Sequence, residues 1–289
     1  MPTPREIRRR IRSVRNTSQI TRAMEMVAAS KMRRAQQHVT ATRPYAERIA
    51  AMIGDVAAAA SPQEQAQFPL LIQRPVNRAE IVLVTSDKGL AGAFNTNVIR
   101  RAVRLMAEER EAGHSEAQIL AVGRRGRDFF SRFRGNVAAG FGPIPDQPSL
   151  LWIRPIVQRA IDDFVSGEVD AVYVVYTRFI NTLRQVPEAI RVLPIEVPEG
   201  AGDVREYIFE PSAEAVLEAL LPRFVEVQIY HAILESLASE HSSRMVAMRN
   251  ATENARDLAN QLNLSYNRAR QAQITNEVAE IAAGAAALG

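Results

Sequence analysis

Cysteine is absent from the 289 residues, which excludes disulfides, cysteine nucleophiles and thiolate metal sites and fits a reducing compartment. Histidine is scarce: His38, His114, His231 and His241 are the whole set, and none stands in metal-ligand spacing to another. No apolar run approaches the roughly eighteen residues a membrane-spanning helix requires. The chain opens Met-Pro-Thr-Pro and passes straight to charge, so the apolar core of a signal peptide is missing. An Arg-rich, acid-poor start superficially resembles a transit peptide, but it belongs to a longer helical pattern. Helix breakers are missing from two stretches. No Gly or Pro lies between Pro4 and Pro44, and none between Pro222 and Gly284.

Those breaker-free ends carry helical periodicity. From Leu220 to Ala269 apolar and small residues recur in alternating steps of four and three, through Phe224, Val227, His231, Leu234, Ala238, His241, Met245, Met248, Thr252, Ala255 and Ala259. A seam this long is a coiled-coil signal, and the helix would run on the order of 90 Å. The N-terminal helix has two shorter blocks, Ile7–Ile11–Val14 and Ile20–Met24–Val27, and Pro44 is expected to kink it. His231 and His241 fall on the seam, where polar core or register residues are expected rather than ligands. The methionines on the seam read as core filler.

The middle of the chain changes period. Glu80–Thr85 reads as a buried strand, followed by a turn and a helix over Phe94–Ala112. A second strand is expected at Ile119–Val122 and a helix at Arg125–Phe133. A further helix at Ser149–Ser166 leads into a strand at Ala171–Tyr176, with an antiparallel return over Pro187–Ile195. Alternating strands and helices imply a three-layer, Rossmann-like α/β unit. The expected organisation is an N-terminal helix at 1–60, an α/β domain at 75–200 and a C-terminal helix at 212–289. The two terminal helices pair antiparallel into a shaft, with the α/β domain inserted between them.

Charge is unevenly placed. Residues 1–50 hold twelve Lys/Arg against three acids, a net +9, while the remainder carries −5. Such a helix calls for an acidic partner: protein loops, nucleic acid or anionic lipid. Arg8-Arg9-Arg10 could track phosphates, yet no aromatics interleave it to stack bases. The turn Asp87-Lys88-Gly89-Leu90-Ala91-Gly92 follows a strand but lacks the order of a phosphate loop, because its Lys precedes both glycines. A tight turn into a helix is the simpler reading. The final stretch, Glu277–Gly289, is a thin tip of small apolar residues, readable either as a fraying terminus or as a tail suited to an apolar hole.

Several segments match a known family. Ile11–Gln36 resembles the start of the gamma subunit of F-type ATP synthases, and Thr85–Asn95 is similar to that family's central motif. Glu240 with Arg244–Arg249, Asn267–Thr275, Glu277, Glu280 and the Gly284 alanine run are similar to its C-terminal helix. The resemblance covers the chain in order. It implies a non-catalytic rotor: terminal helices forming the central shaft inside a hexamer of alternating alpha and beta subunits, with catalysis on beta. The α/β domain would sit beside the epsilon subunit and above a membrane ring of c subunits. The resemblance further implies that Met24, Lys31 and Arg34 lie near acidic loops of beta. It sets Arg244, Arg270, Gln271, Thr275 and Glu280 on the part of the shaft that touches the hexamer. Tyr207, Phe209 and Glu210 would face the c ring and epsilon. No cofactor and no nucleic acid is expected, and the membrane is met through the complex alone, at the cytoplasmic face of a bacterial plasma membrane. Two other readings remain: a basic coiled-coil nucleic-acid-binding protein, and a dinucleotide-using enzyme with helical arms.

Overall fold

The computed structural model describes residues 3–59, 67–113, 117–133, 135–196, 210 and 212–288. The breaker-free ends are single helices. α1 runs Pro4–Ala59 and passes through Pro44; α5 runs Ala213–Leu288 and passes through Pro222. Between them lie β1 (Ala79–Val84), α2 (Phe94–Glu111), β2 (Gln118–Val122), α3 (Arg124–Arg132), β3 (Val137–Phe141), α4 (Leu150–Val165), β4 (Ala171–Phe179) and β5 (Gln185–Leu193). The fold is therefore long terminal helices with a central mixed α/β sheet. Residues up to Ala28 together with those from Arg244 onward form one compact unit, and Ala29–Ser243 form a second.

In the second unit the strand order is β3-β2-β1-β4-β5, parallel from β3 through β4 and antiparallel between β4 and β5. β1 is buried along its whole length, as a central strand covered on both faces must be. Ile81, Leu83, Ile119 and Ala121 point to one face and pack under Val98, Ala102 and Leu105 of α2 and Phe130 of α3. Val82, Val84, Leu120 and Val174 point to the other, under Ile153, Ile156, Ala160 and Phe164 of α4. That second layer is shared. Ile49, Ile53 and Val56 of α1 and Leu217, Leu221, Val225, Ile229 and Ile233 of α5 join the same core. At about 1.5–3 kcal/mol for each fully buried aliphatic side chain, this shared core anchors both terminal helices in the unit.

Two features depart from the sequence reading. β3 was not foreseen, because Val137-Ala-Ala-Gly-Phe141 alternates only weakly and sits at the sheet edge. β4 extends to Phe179 and β5 begins at Gln185, so the hairpin is longer than expected. Pro187 is tolerated in β5 because that strand is the other edge, where a missing N–H breaks no inner ladder.

α5 is buried on every side from Ala232 to Ser242, including Glu235, Ser236, Ser239, Glu240 and His241. A one-sided coiled coil would expose half of these. Here the helix is covered by α1 on one side, where Ala35 and Ala238 meet Phe179, and by the β4–β5 hairpin on the other. Serines make the second contact. Ser239 donates to the Thr177 carbonyl at 3.0 Å and Ser242 to the Thr182 carbonyl at 2.9 Å.

Candidate functional site

The first unit is the antiparallel pairing of the N-terminal part of α1 with the C-terminal part of α5. Thr21 and Thr252 meet through their hydroxyls at 2.7 Å, and Glu25 pairs with Arg249 at 2.9 Å. Each hydroxyl also reaches a carbonyl of its own helix, Thr21 that of Ser18 at 3.1 Å and Thr252 that of Met248 at 2.8 Å. Met245, Met248, Thr252, Ala255 and Ala259 are buried at the seam spacing read from the sequence, and Ile7, Ile11 and Ala28 of α1 are buried as well. The seam signal located Thr252; its partner Thr21 lies outside the apolar blocks and was not singled out.

This register runs out of α1 at about residue 269 of α5, because α1 begins at Pro4. Beyond that point α5 continues alone. Arg270, Gln271, Thr275 and Glu280 are all exposed. So are Ile274, Val278 and Ile281, spaced i, i+4, i+7 along the same lone helix. An apolar stripe of this kind is a surface awaiting cover. Met24 and Arg244 of the same unit are half-buried.

The other candidate residues belong to the second unit. Lys31 lies against Asp146 in the loop between β3 and α4, Nζ to Oδ2 2.6 Å. The hydrogen bond from Lys31 holds the Asp146 carboxyl below its ordinary 3.8. Part of the positive charge of the first helix is thus matched within the chain. Arg34 is exposed, with one guanidinium nitrogen 3.3 Å from Ser30 Oγ. Arg43 lies 3.9 Å from Glu235, a buried carboxyl that desolvation raises above its ordinary value. Glu210 is exposed; Tyr207 and Phe209 lie outside the described residues.

The Thr85–Asn95 motif is a structural lock. Asp87 accepts from the backbone N–H groups of Arg124 at 3.0 Å and Ile144 at 2.7 Å, tying three loops at the carboxyl end of the sheet. Ser86 N–H donates to Asn95 Oδ1, and the Gly126 N–H donates to Thr85 Oγ1. Gly123 holds φ +92, and a Cβ there would stand 2.2 Å from the Thr85 carbonyl oxygen. The side chains of Thr85, Ser86, Asp87 and Asn95 are engaged in holding the turn. Among the described residues no cluster of three metal-ligating side chains occurs, and no helix is long and apolar enough to cross a membrane.

One unit, a helix pair with exposed charge and an uncovered apolar stripe on its lone distal stretch, and another built on a mixed α/β sheet define the class of helical stalk proteins. The family model described as ATP synthase matches residues 3–288. The ATP synthase gamma chain of Roseiflexus castenholzii is 54% identical over 290 residues, covering 100% of this chain and 99% of that one. The gamma chain of Moorella thermoacetica is 48% identical over 284 residues, 98% of each. A chain of the Tetrahymena thermophila mitochondrial ATP synthase central stalk and c-ring structure superposes with TM-score 0.61 at 25% identity, covering 80% of this chain and 99% of that one. A chain of the Euglena gracilis mitochondrial enzyme shares the fold at TM-score 0.66 and 18% identity, over 99% and 94%. This chain belongs to the ATP synthase gamma chain family, and is accordingly a non-catalytic subunit of the central rotor stalk in a membrane-associated complex. The nucleic-acid-binding and dinucleotide-enzyme readings find no support among these relatives.

Proposed function

We propose that this chain is the shaft that transmits rotation from a membrane ring of c subunits to a hexamer of alternating alpha and beta subunits. In this reading residues 1–60 and 212–289 make the shaft and 75–200 the inserted domain. Met24, Lys31, Arg34, Arg244, Arg270, Gln271, Thr275 and Glu280 meet the hexamer. Tyr207, Phe209 and Glu210 face the c ring and an epsilon subunit. The chain binds no nucleic acid, and reaches the cytoplasmic face of a bacterial plasma membrane through its partners. The observation that carries the reading is the lone distal stretch of α5, whose exposed Ile274, Val278 and Ile281 have no cover within the described chain while charged neighbours stand beside them.

The mechanism rests on asymmetry. A shaft with chemically different faces presents each of three identical beta subunits with a different surface, and so biases each toward a different conformation. Turning the shaft exchanges those biases. Driving one subunit almost wholly from one state to another takes about 5.5 kcal/mol of differential contact. Exposed ion pairs at about 0–1 kcal/mol each fall short, so the contacts must be partly desolvated when engaged or joined by apolar area. Co-purification tests the reading: a tagged chain brings down alpha and beta subunits at one copy per three of each, with epsilon and the c ring retained in mild detergent. Recovery of the chain alone, or with duplex DNA in a steeply salt-dependent complex, refutes it.

A further inference from the structure

In the second unit Glu235 of α5 is 2% exposed, at the place where α1, α5 and the β4–β5 hairpin come together. Cations stand near it but not in contact. Arg43 of α1 comes within 3.9 Å of Oε1 and His231, one turn back along α5, within 4.0 Å, both too long for a hydrogen bond. Oε2 is buried with no hydrogen-bond partner among the described residues. The hairpin contributes Arg178, which pairs with Glu188 at 3.4 Å, and the buried Tyr176. Burial raises the Glu235 carboxyl above its ordinary 4.5; Arg178 and Arg43 oppose it, Glu188 adds to it, and the Phe179 N–H dipole opposes it most weakly. Arg43 is followed at once by Pro44, inside α1. Proline has no N–H to offer the Thr40 carbonyl, so the helix is weakest at this joint. The two sides of the joint are held unequally. C-terminal to it Ile49, Ile53 and Val56 enter the main core, while N-terminal to it Ala35 joins a small cluster with Ala238 and Phe179.

We propose that Glu235 is a proton-sensitive clasp on α1: with its carboxyl neutral, residues 29–43 stay closed against α5 and the hairpin, and as it ionises that stretch opens locally about Pro44. The physical reason is desolvation. A neutral carboxyl sits in this junction at little cost, whereas a carboxylate there has lost its water and gained no hydrogen bond from a cation in return. Opening returns the charge to water. The closed state therefore binds the proton more tightly than the open one, and linkage fixes the sign: raising the pH above the ordinary carboxyl value favours opening. Arg43 moderates the effect, because its charge is the part of α1 that steadies an ionised Glu235. The stretch that yields is the one with the smaller apolar hold, on the N-terminal side of the proline. The clasp lies within this chain and stands independently of the partners assigned to the stalk. It makes the stiffness of α1 at its joint depend on the pH around it.

Hydrogen exchange of the full-length chain tests this, read by mass spectrometry from about pH 5 to 9, corrected for the intrinsic rate and referenced to β1 for global unfolding. In the wild type, protection over residues 29–43 is expected to fall with rising pH by up to about tenfold per unit, the steepest slope one titrating group gives. E235Q keeps the neutral form at every pH, and its profile is expected to stay level. R43Q removes a cation that favours the carboxylate, and is expected to carry the fall to higher pH. H231Q is expected to keep the wild-type fall. A level profile in the wild type, or a fall that E235Q leaves intact, overturns the clasp. A fall that H231Q abolishes overturns it too, since the histidine would then be the titrating group. An R43Q profile identical to that of the wild type overturns it even if E235Q does not fold.

Discussion

Glu80 gives the sharpest physical test of the structure. It sits at the start of β1 with no exposed surface, facing Asp163 of α4, and Gln118 of β2 donates an amide hydrogen bond to each carboxyl, at 2.7 and 3.2 Å. Arg159 pairs with Asp163 at 2.7 Å, leaving Glu80 as the acid without a cation of its own. Burial first, and then its hydrogen bond with Asp163, lift the Glu80 carboxyl from its ordinary 4.5 to about 8, against the opposing pull of the Gln118 amide. The folded chain therefore holds a proton on Glu80 that the unfolded chain releases between those two values. Where the native state binds more protons, stability falls as pH rises. The loss begins near pH 4.5, is complete near pH 8, and amounts to about 5 kcal/mol at 1.36 kcal/mol per unit. E80Q removes the ionisation while an amide retains the donor toward Asp163 and the acceptor toward Gln118. Trp152, the single tryptophan, lies on α4 itself, so its fluorescence in urea follows this helix. The difference in unfolding free energy between E80Q and wild type is expected to be small near pH 4.5 and to grow in favour of E80Q up to pH 8. Parallel stability curves across that window would show that Glu80 keeps an ordinary titration, and would refute the buried, proton-bearing pair.

Leu234→Pro removes a hydrogen bond and collides with the Tyr230 carbonyl in the part of α5 buried on all sides; a loss of about 3 kcal/mol or more is expected, visible as reduced far-UV helicity and failed assembly with the hexamer. Gly123→Ala forces a side chain into φ +92 and against the Thr85 carbonyl, costing about 1–3 kcal/mol from the backbone alone, with the overlap added; near-normal thermal stability would contradict the lock at the carboxyl end of the sheet. Deleting 282–289 is expected to lower complex stability modestly and spare coupled ATP synthesis. Deleting from Arg268 also removes Arg270, Gln271 and the stripe of Ile274, Val278 and Ile281, and is expected to reduce synthesis far more; equal losses from the two truncations would show the tip to bear torque.

Reversing Lys31 and Arg34 to Glu is expected to weaken coupling, seen as ATP turnover with less ion pumping. The exposed Lys31–Asp146 pair adds about 0–1 kcal/mol at most to the folding loss. Unchanged coupling in the double variant would remove both residues from the contact.

Much of this protein is local, and what is local was legible in the sequence. The absence of Gly and Pro at both ends, joined to a spacing of four and three, determined two long helices and the buried seam from Met245 through Ala259, because helix periodicity depends on neighbours within two turns. β-branched runs located β1, β2 and β4 for the same reason, while Val137–Phe141, short and rich in Ala and Gly, became a strand only through pairing with β2. Tertiary structure alone decided where polar groups went. Nothing local distinguishes Lys31, matched by Asp146 across 115 positions, from Arg34, which meets Ser30 one turn away. Nor does any short pattern reveal that Glu80 is driven to keep its proton by burial and then by Asp163, or that α5 is enclosed on every side between Ala232 and Ser242. Burial and charge matching depend on what the folded chain brings near, and sequence separation carries no information about that distance.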